Sequence, residues 1–335
     1  MSNNITELSP YDIISDLPVN KFENVSVTII GGGYMGQEYA KALECLNISN
    51  VKIITNSKKD PKLFSTKFEY DVLSGGFSKH IKSLNKQDLV IIATPTELLD
   101  QACSLCVDCG QTNILIEKPG SLFSENLKLL IQKSKNCRIR VAYNRLCYPN
   151  VYLLKELCKK EGVLSCKFDF TEWVHKIPFN VYTDDEYKLW GISNSLHVIS
   201  LAFELIGMPK NIACFTAGSL AWHPSGSIFV GSGISENDIP FSYHANWESS
   251  GRWMVEIMTK SNSYRLMPLE TISVCKKGTV DWNPIDFSST YSKTKPGILE
   301  QVVIMLDKNL EQSCPLITLE KALDYNELAR KILNY

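Results

Sequence analysis

No stretch of this sequence approaches the roughly 18 uncharged apolar residues that a membrane-spanning helix needs. The longest apolar runs end within a few residues in glycine, proline or charge. Neither sign of charge is in excess: 35 basic and 36 acidic side chains leave a formal net charge of −1. No global field therefore attracts nucleic acid or an acidic membrane, and neither is expected as a partner. The opening segment, MSNNITELSPYDIISDLPVNKFEN, has no basic n-region and no apolar h-region, so it does not read as a secretory signal. A cytoplasmic location is the expectation. The sequence also lacks internal repeats and low-complexity linkers.

The 11 cysteines are odd in number and scattered, which suggests thiols rather than a disulfide framework. Cys103, Cys106 and Cys109 cluster in QACSLCVDCG. Three ligands of a zinc or iron–sulfur site would need a fourth, and no nearby His or Cys has the paired spacing. The cluster reads instead as small apolar side chains on a short helix facing a sheet, and no metal is expected. His80, His223 and His244 have no partner at metal spacing and read as structural or surface residues.

What is present is a long alternation of strands and helices. The length, 335 residues, suggests about two domains. Residues 1–24 read as an arm or a short extra helix. VSVTII (Val25 to Ile30), VKIIT, DLVIIAT, NILIE and RIRVAY are apolar, β-branched runs, as expected of strands buried on both faces of a parallel sheet. Helical segments separate them, so residues 25–145 read as a doubly wound domain. The pattern changes near residue 145. Residues 146–335 read as an α+β domain whose many alternating segments form a mostly antiparallel, open sheet. Phe241, Tyr243, Trp247, Trp253 and Val255 are expected on an open sheet face, which needs cover.

Gly31-Gly32-Gly33-Tyr34-Met35-Gly36 follows the first strand and opens a helix. In that context G-x-G-x-x-G reads as a dinucleotide turn. Gly31 permits the tight turn, Gly33 lets a pyrophosphate approach the backbone, and Gly36 lets helix and strand pack. Tyr34 and Met35 belong to the same turn. After the second strand an NAD site usually has Asp or Glu on the ribose 2′-hydroxyl. Here Asn56, Ser57, Lys58 and Lys59 stand there, so NADP(H) is favoured, with NAD(H) the alternative.

With these marks the chain resembles the glucose–fructose oxidoreductase / inositol dehydrogenase family (Gfo/Idh/MocA), from about residue 25 onward. The glycine turn, ATPTELL, EKP at Glu117-Lys118-Pro119, AYNRLCYP at Ala142 to Pro149, the helix with His197 and the late strand pair carry the resemblance. It implies an N-terminal Rossmann domain, a second subunit that covers the open sheet face in a homodimer or homotetramer, and cofactor contacts from Thr94, Pro95, Glu117, Lys118 and Pro119. It implies that Lys118 binds the reacting hydroxyl and that Tyr143, Asn144 and Arg145 line the active site. The residue's place agrees, because open α/β sheets bind ligands at the carboxyl ends of their strands.

The family typically has Asp four residues before its His; this sequence has Ser193. His197 is then the expected acid/base, with Ser193 and Asn194 beside the substrate. His175, Lys176, Tyr182 and Trp190 lie just before, and Trp190 reads equally as a sugar-stacking or a core residue. The implied activity is hydride transfer between a nicotinamide cofactor and a carbinol or carbonyl carbon of a small, sugar-derived substrate. The missing carboxylate leaves a second reading: a dinucleotide-sensing regulator without turnover.

Overall fold

The computed structural model describes residues 21–56, 68–287 and 294–335. Ser57, Lys58, Lys59 and residues 1–20 of the expected arm lie outside the described residues. In chain order the strands and helices are β1 (Val27–Ile30), α1 (Tyr34–Cys45), β2 (Val51–Thr55), β3 (Asp71–Ser74), α2 (Phe77–His80), β4 (Leu89–Ile92), α3 (Leu99–Asp108), β5 (Asn113–Glu117), α4 (Ser124–Lys133), β6 (Arg138–Ala142) and α5 (Pro149–Glu161). Then come β7 (Val163–Thr171), α6 (Asp184–Lys188), α7 (Leu196–Ile206), β8 (Pro209–Ala217), β9 (Ile228–Ser235), β10 (Pro240–Asn246), β11 (Arg252–Thr259), β12 (Asn262–Leu266), β13 (Ser273–Lys276) and β14 (Trp282–Pro284). The chain ends with α8 (Ile298–Leu306), β15 (Ile317–Thr318) and α9 (Leu319–Leu333).

The described residues of 21–120, 126–152 and 294–319 form one unit; those of 121–125, 153–287 and 320–335 form a second. The single boundary expected near residue 145 is thus corrected: 294–319 fold with the Rossmann strands, although they follow the antiparallel ones. The physical reason is the composition of α8. Ile298, Leu299, Val302, Val303, Ile304 and Met305 are all buried, and they share one core with Tyr39 and Leu43 of α1. The arm is corrected at its end too, because Phe22 joins this core and Lys21 pairs with Asp307 at 2.5 Å.

The first unit's sheet has the order β15-β6-β5-β4-β1-β2-β3. All pairings are parallel except β15 with β6. Ile29 of β1 lies between Ile53 of β2 and Ile91 of β4. Every residue of β1 and β4 is buried, which is why these segments are unbroken apolar runs. Replacing one such isoleucine by alanine costs about 2–5 kcal/mol. The edge strands β3 and β15 escape the sequence pattern. β3 is half exposed, and β15 has two residues, too few for a periodicity.

The second unit's sheet has the order β14-β13-β12-β11-β7-β10-β9-β8. It is antiparallel except where β10 runs parallel to β7. α7 supplies its cover: Phe203 meets Phe168 edge-on at 5.6 Å and Phe241 at 5.1 Å. This corrects the expected open face. Phe241, Tyr243, Trp247, Trp253 and Val255 are all buried within the chain itself. In the strand register Phe241 and Val255 share a face with Cys166 and Phe168, while Lys167, Ser242 and Glu256 take the other face. The five apolar residues therefore say nothing about a second subunit. Among the described residues no helix is long and apolar enough to cross a membrane.

Candidate active site

β1 ends where Gly31 donates its N–H to Ile54 O at 2.9 Å. Gly31 has φ +118, and a Cβ there would lie 2.1 Å from Ala93 O. At Gly36 a Cβ would lie 2.0 Å from Gly31 O, so α1 passes the turn too closely for any side chain. Gly33 differs: a Cβ there would meet nothing within 4 Å. It is the N-cap of α1, with no side-chain cap and no acidic residue in the first turn. The first-turn N–H groups of a helix need partners from outside it, and the dipole favours an anion there. Thr94, just past β4, has a buried hydroxyl with no hydrogen-bond partner among the described residues, beside this turn. An uncapped helix end, an open approach and an orphaned hydroxyl suit a diphosphate.

Asn56 is exposed at the end of β2, where Thr55 O accepts the N–H groups of Gly75 and Gly76 at 3.0 and 2.8 Å. No carboxylate stands at that position. Ser57 and Lys58 lie outside the described residues, so the structure is silent on their part in cofactor choice.

β5 delivers Glu117 and Lys118 to the carboxyl edge of the sheet. Glu117 is buried and accepts from the Tyr39 hydroxyl of α1 at 2.8 Å. Burial pushes its carboxyl up, while the Tyr39 hydrogen bond and the charges of Lys118 and Lys295 pull it back. Burial also pushes the Tyr39 hydroxyl well above its usual range. The pair ties α1 to β5 and so fixes the strand end that presents Lys118. Lys118 itself is partly exposed, and its peptide bond to the buried Pro119 is cis. Gly120 N–H closes the turn on Glu117 O at 2.9 Å.

β6 ends in Tyr143-Asn144-Arg145. Tyr143 is almost wholly buried, and burial pushes its hydroxyl far up. Asn144 Nδ2 donates to Pro296 O at 3.2 Å, which holds the segment before α8. Arg145 is half-buried.

In the second unit one π-helical turn, Gly191–Ser195, leads into α7. Its side chains are held by two buried carboxylates. Ser193 Oγ donates to Glu186 Oε1 at 2.6 Å. Asn194 Nδ2 donates to Glu172 Oε2 at 2.8 Å, and Ser195 Oγ to Glu172 Oε1 at 2.5 Å. His197 is buried in α7, with its ring centre 6.1 Å from that of Trp253. The turn is also held from behind, where Tyr335 Oη accepts from Gly191 N–H at 2.9 Å. His223 Nδ1 lies 2.7 Å from Gly226 O, so it carries the proton; Nε2 then accepts from Tyr335 Oη at 2.6 Å. Burial holds this imidazole down to about 4.

Trp190 is buried, stacked on Tyr187 at 6.2 Å and edge-on to Trp222 at 6.3 Å, which is the core reading of that residue. His175 and Lys176 are exposed. His80 Nε2 meets Ser74 O at 2.8 Å, and His244 lies 3.5 Å from Asp169. Cys103 and Cys106 are buried thiols on α3; burial pushes Cys106 up to about 12. Among the described residues no three His, Cys, Asp or Glu are grouped to hold a metal.

Sequence reasoning missed Tyr39, Glu172, Glu186 and Lys295. Glu186 sits in the run Asp184-Asp185-Glu186, which reads as a solvated helix start, and Tyr39 reads as an ordinary core residue. Only the fold turns them inward.

Comparison with known proteins agrees with this architecture. Residues 25–143 match the model of the oxidoreductase family with NAD-binding Rossmann fold, GFO_IDH_MocA. No curated protein matches the chain in sequence. Among solved structures, UDP-N-acetylglucosamine 3-dehydrogenase GnnA from Acidithiobacillus ferrooxidans is similar at 13% identity and TM-score 0.69, over 92% of this chain and 96% of that one. Levoglucosan dehydrogenase in complex with NADH and L-sorbose is similar at 16% identity and TM-score 0.72, over 92% and 96%. Biliverdin reductase from Synechocystis sp. PCC 6803, with biliverdin and NADP+, is similar at 18% identity and TM-score 0.69, over 93% and 99%. At these identities the likeness is one of fold.

Proposed function

We propose, because residues 25–143 match the model of the GFO_IDH_MocA oxidoreductase family, that this chain transfers a hydride between a nicotinamide dinucleotide and a carbinol or carbonyl carbon of a sugar, cyclitol or sugar-derived substrate. The observation that carries this reading is the turn at Gly33, an uncapped helix start with open space before it and Lys118 on a strand end of the same sheet edge. Bound there, the nicotinamide supplies or accepts the hydride. Lys118 donates to the substrate oxygen and stabilises charge developing on it. His197 exchanges the hydroxyl proton. Asn144, Ser193 and Asn194 have donors committed to Pro296, Glu186 and Glu172, so each holds its own stretch of chain in place. Arg145, just past β6 on the sheet edge that presents Lys118, is the candidate for direct substrate contact.

NADP(H) is the favoured cofactor, since Asn56 stands where a carboxylate would repel a 2′-phosphate. The sugar class draws support from similar structures named for UDP-N-acetylglucosamine and levoglucosan. Biliverdin reductase is a likeness of the same fold named for a different kind of substrate. A homodimer or homotetramer remains part of the proposal.

Fluorescence titration with NADPH and NADH, followed by oxidation assays with a panel of keto-sugars, tests the reading. Quenching by NADPH at lower concentration than NADH, with turnover on a panel member, is expected. No binding of either dinucleotide would overturn it. Binding with no turnover on any carbonyl substrate would favour the regulatory role instead.

A further inference from the structure

The first turn of α1 has a neighbour from far along the chain. Lys295 reaches it from the segment that precedes α8. Its backbone N–H donates to Glu38 Oε2 at 3.2 Å. Its ammonium lies 3.5 Å from the Met35 sulfur and 5.1 Å from the centre of the Tyr34 ring. Tyr34 and Met35 are the first two residues of α1, directly after Gly33. Lys295 therefore stands at the positive end of a helix of 12 residues.

That is the unfavourable end for a cation. Aligned peptide dipoles repel a positive charge at a helix N-terminus and attract a negative one. Glu38 also takes Lys41 at 2.7 Å, and Glu117 takes the Tyr39 hydroxyl at 2.8 Å. The charge of Lys295 extends as far as Glu117, where it opposes the upward push of burial. Two sources of positive potential, the uncapped helix end and the ammonium, thus converge on a turn with open space before it. Tyr34 is 64% exposed, so this side of the turn faces outward.

We propose that Lys295 is a cofactor-binding residue whose ammonium pairs with the diphosphate received by the Gly33 turn. This rests on the dinucleotide reading above and adds a contact from outside the matched residues 25–143. A compact charge on a flexible stem suits a diphosphate, whose oxygens offer several acceptors. The helix end and the ammonium would both attract the bound anion. The affinity accordingly has a salt-sensitive part, because the turn is only partly buried.

The test reads binding alone, by quenching of protein fluorescence. The probes are NADH, NADPH and ADP-ribose, the last keeping the diphosphate but lacking nicotinamide. Lys295→Gln is expected to weaken all three by about tenfold or more. It should also flatten the dependence of Kd on sodium chloride, while Lys295→Arg keeps most of the affinity. Lys41→Gln removes the same charge from the Glu38 pair and is the control, expected to bind within about twofold of wild type. Lys295→Met keeps the stem over Tyr34 and is titrated in parallel, so a folding defect in Lys295→Gln does not decide the outcome. Wild-type affinity for ADP-ribose in folded Lys295→Gln or Lys295→Met overturns the proposal. Equal losses in Lys41→Gln overturn it too, as does a loss confined to NADPH, which would move the lysine to the 2′-phosphate. Wild-type protein that binds none of the three probes would instead refute the dinucleotide reading itself.

Discussion

Ser193 donates its hydroxyl to the carboxylate of Glu186 at 2.6 Å, and both side chains are buried in the second unit. The resemblance implies a carboxylate at position 193, and the sequence has none there. A buried carboxylate is present all the same, on α6 and seven residues earlier in the chain. Asn194 and Ser195 repeat the arrangement with Glu172. The turn that leads to His197 is held by acids on other elements.

Ser193→Asp then sets one carboxylate against another. Two like charges at hydrogen-bond distance do not both ionise, so the pair retains a proton in the folded state. Folded-state proton affinity is raised above that of the unfolded chain, so the cost is absent at acid pH and grows as pH rises. The melting temperature of Ser193→Asp should match wild type most closely near about pH 5 and fall furthest below it near about pH 8. A gap that does not change with pH would contradict the pairing. Ser193→Ala removes a donor from a buried carboxylate and should cost about 1–3 kcal/mol by urea denaturation.

Lys118→Ala should lower turnover by about two to three orders of magnitude, by analogy with the loss of an oxyanion donor, while dinucleotide affinity holds. In the proposed reading the pyrophosphate would rest on backbone groups near Gly33, which that substitution leaves in place. His197→Ala should also depress turnover and flatten the pH–rate profile near neutrality. Near wild-type turnover in Lys118→Ala would remove the lysine from the chemistry.

His223 should make the protein acid-sensitive. Burial lowers its imidazole from 6.5 to about 4, and the Tyr335 hydroxyl donates to Nε2 only while the ring is neutral. A depressed folded-state value means the stabilisation is present above 6.5 and is lost as pH falls toward 4. The full effect is about 3 kcal/mol. Urea denaturation across that window should show the loss in wild type and much less of it in His223→Gln. A variant that keeps the full slope would assign the acid sensitivity elsewhere.

Glu300 should act in the opposite direction. It is buried in the first turn of α8, and burial raises its carboxyl from 4.5 to about 7, although backbone N–H groups of Gly297 and Glu300 oppose this. A raised folded-state value means the stabilisation is complete below 4.5 and is lost as pH rises through 7. Glu300→Gln removes the charge while keeping the shape. It should be more stable than wild type near about pH 8, by up to about 3 kcal/mol, and no more stable near about pH 4. Equal stability of the two proteins at the alkaline end would show that Glu300 ionises without cost.

The sequence by itself determined the class of the fold and the place of the glycine turn after β1. Both follow from local rules. A strand buried on both faces must be apolar at every position, and a residue whose Cβ would lie 2.1 Å from Ala93 O must be glycine, so β1 and Gly31 are written in the residues themselves. Glu117-Lys118-Pro119 is legible for the same reason, as a short motif at one strand end. Tertiary structure alone decided what those motifs meet. An apolar helix such as α8 carries no label for the core it will join, and only packing against Tyr39 and Leu43 brings it back to the first unit with Lys295 before it. An acid in a run such as Asp184-Asp185-Glu186 looks solvated, because periodicity reports which face is apolar and not which charge is turned inward. Burial of Glu186 beside Ser193 depends on residues far apart in the chain meeting, and no local pattern encodes that.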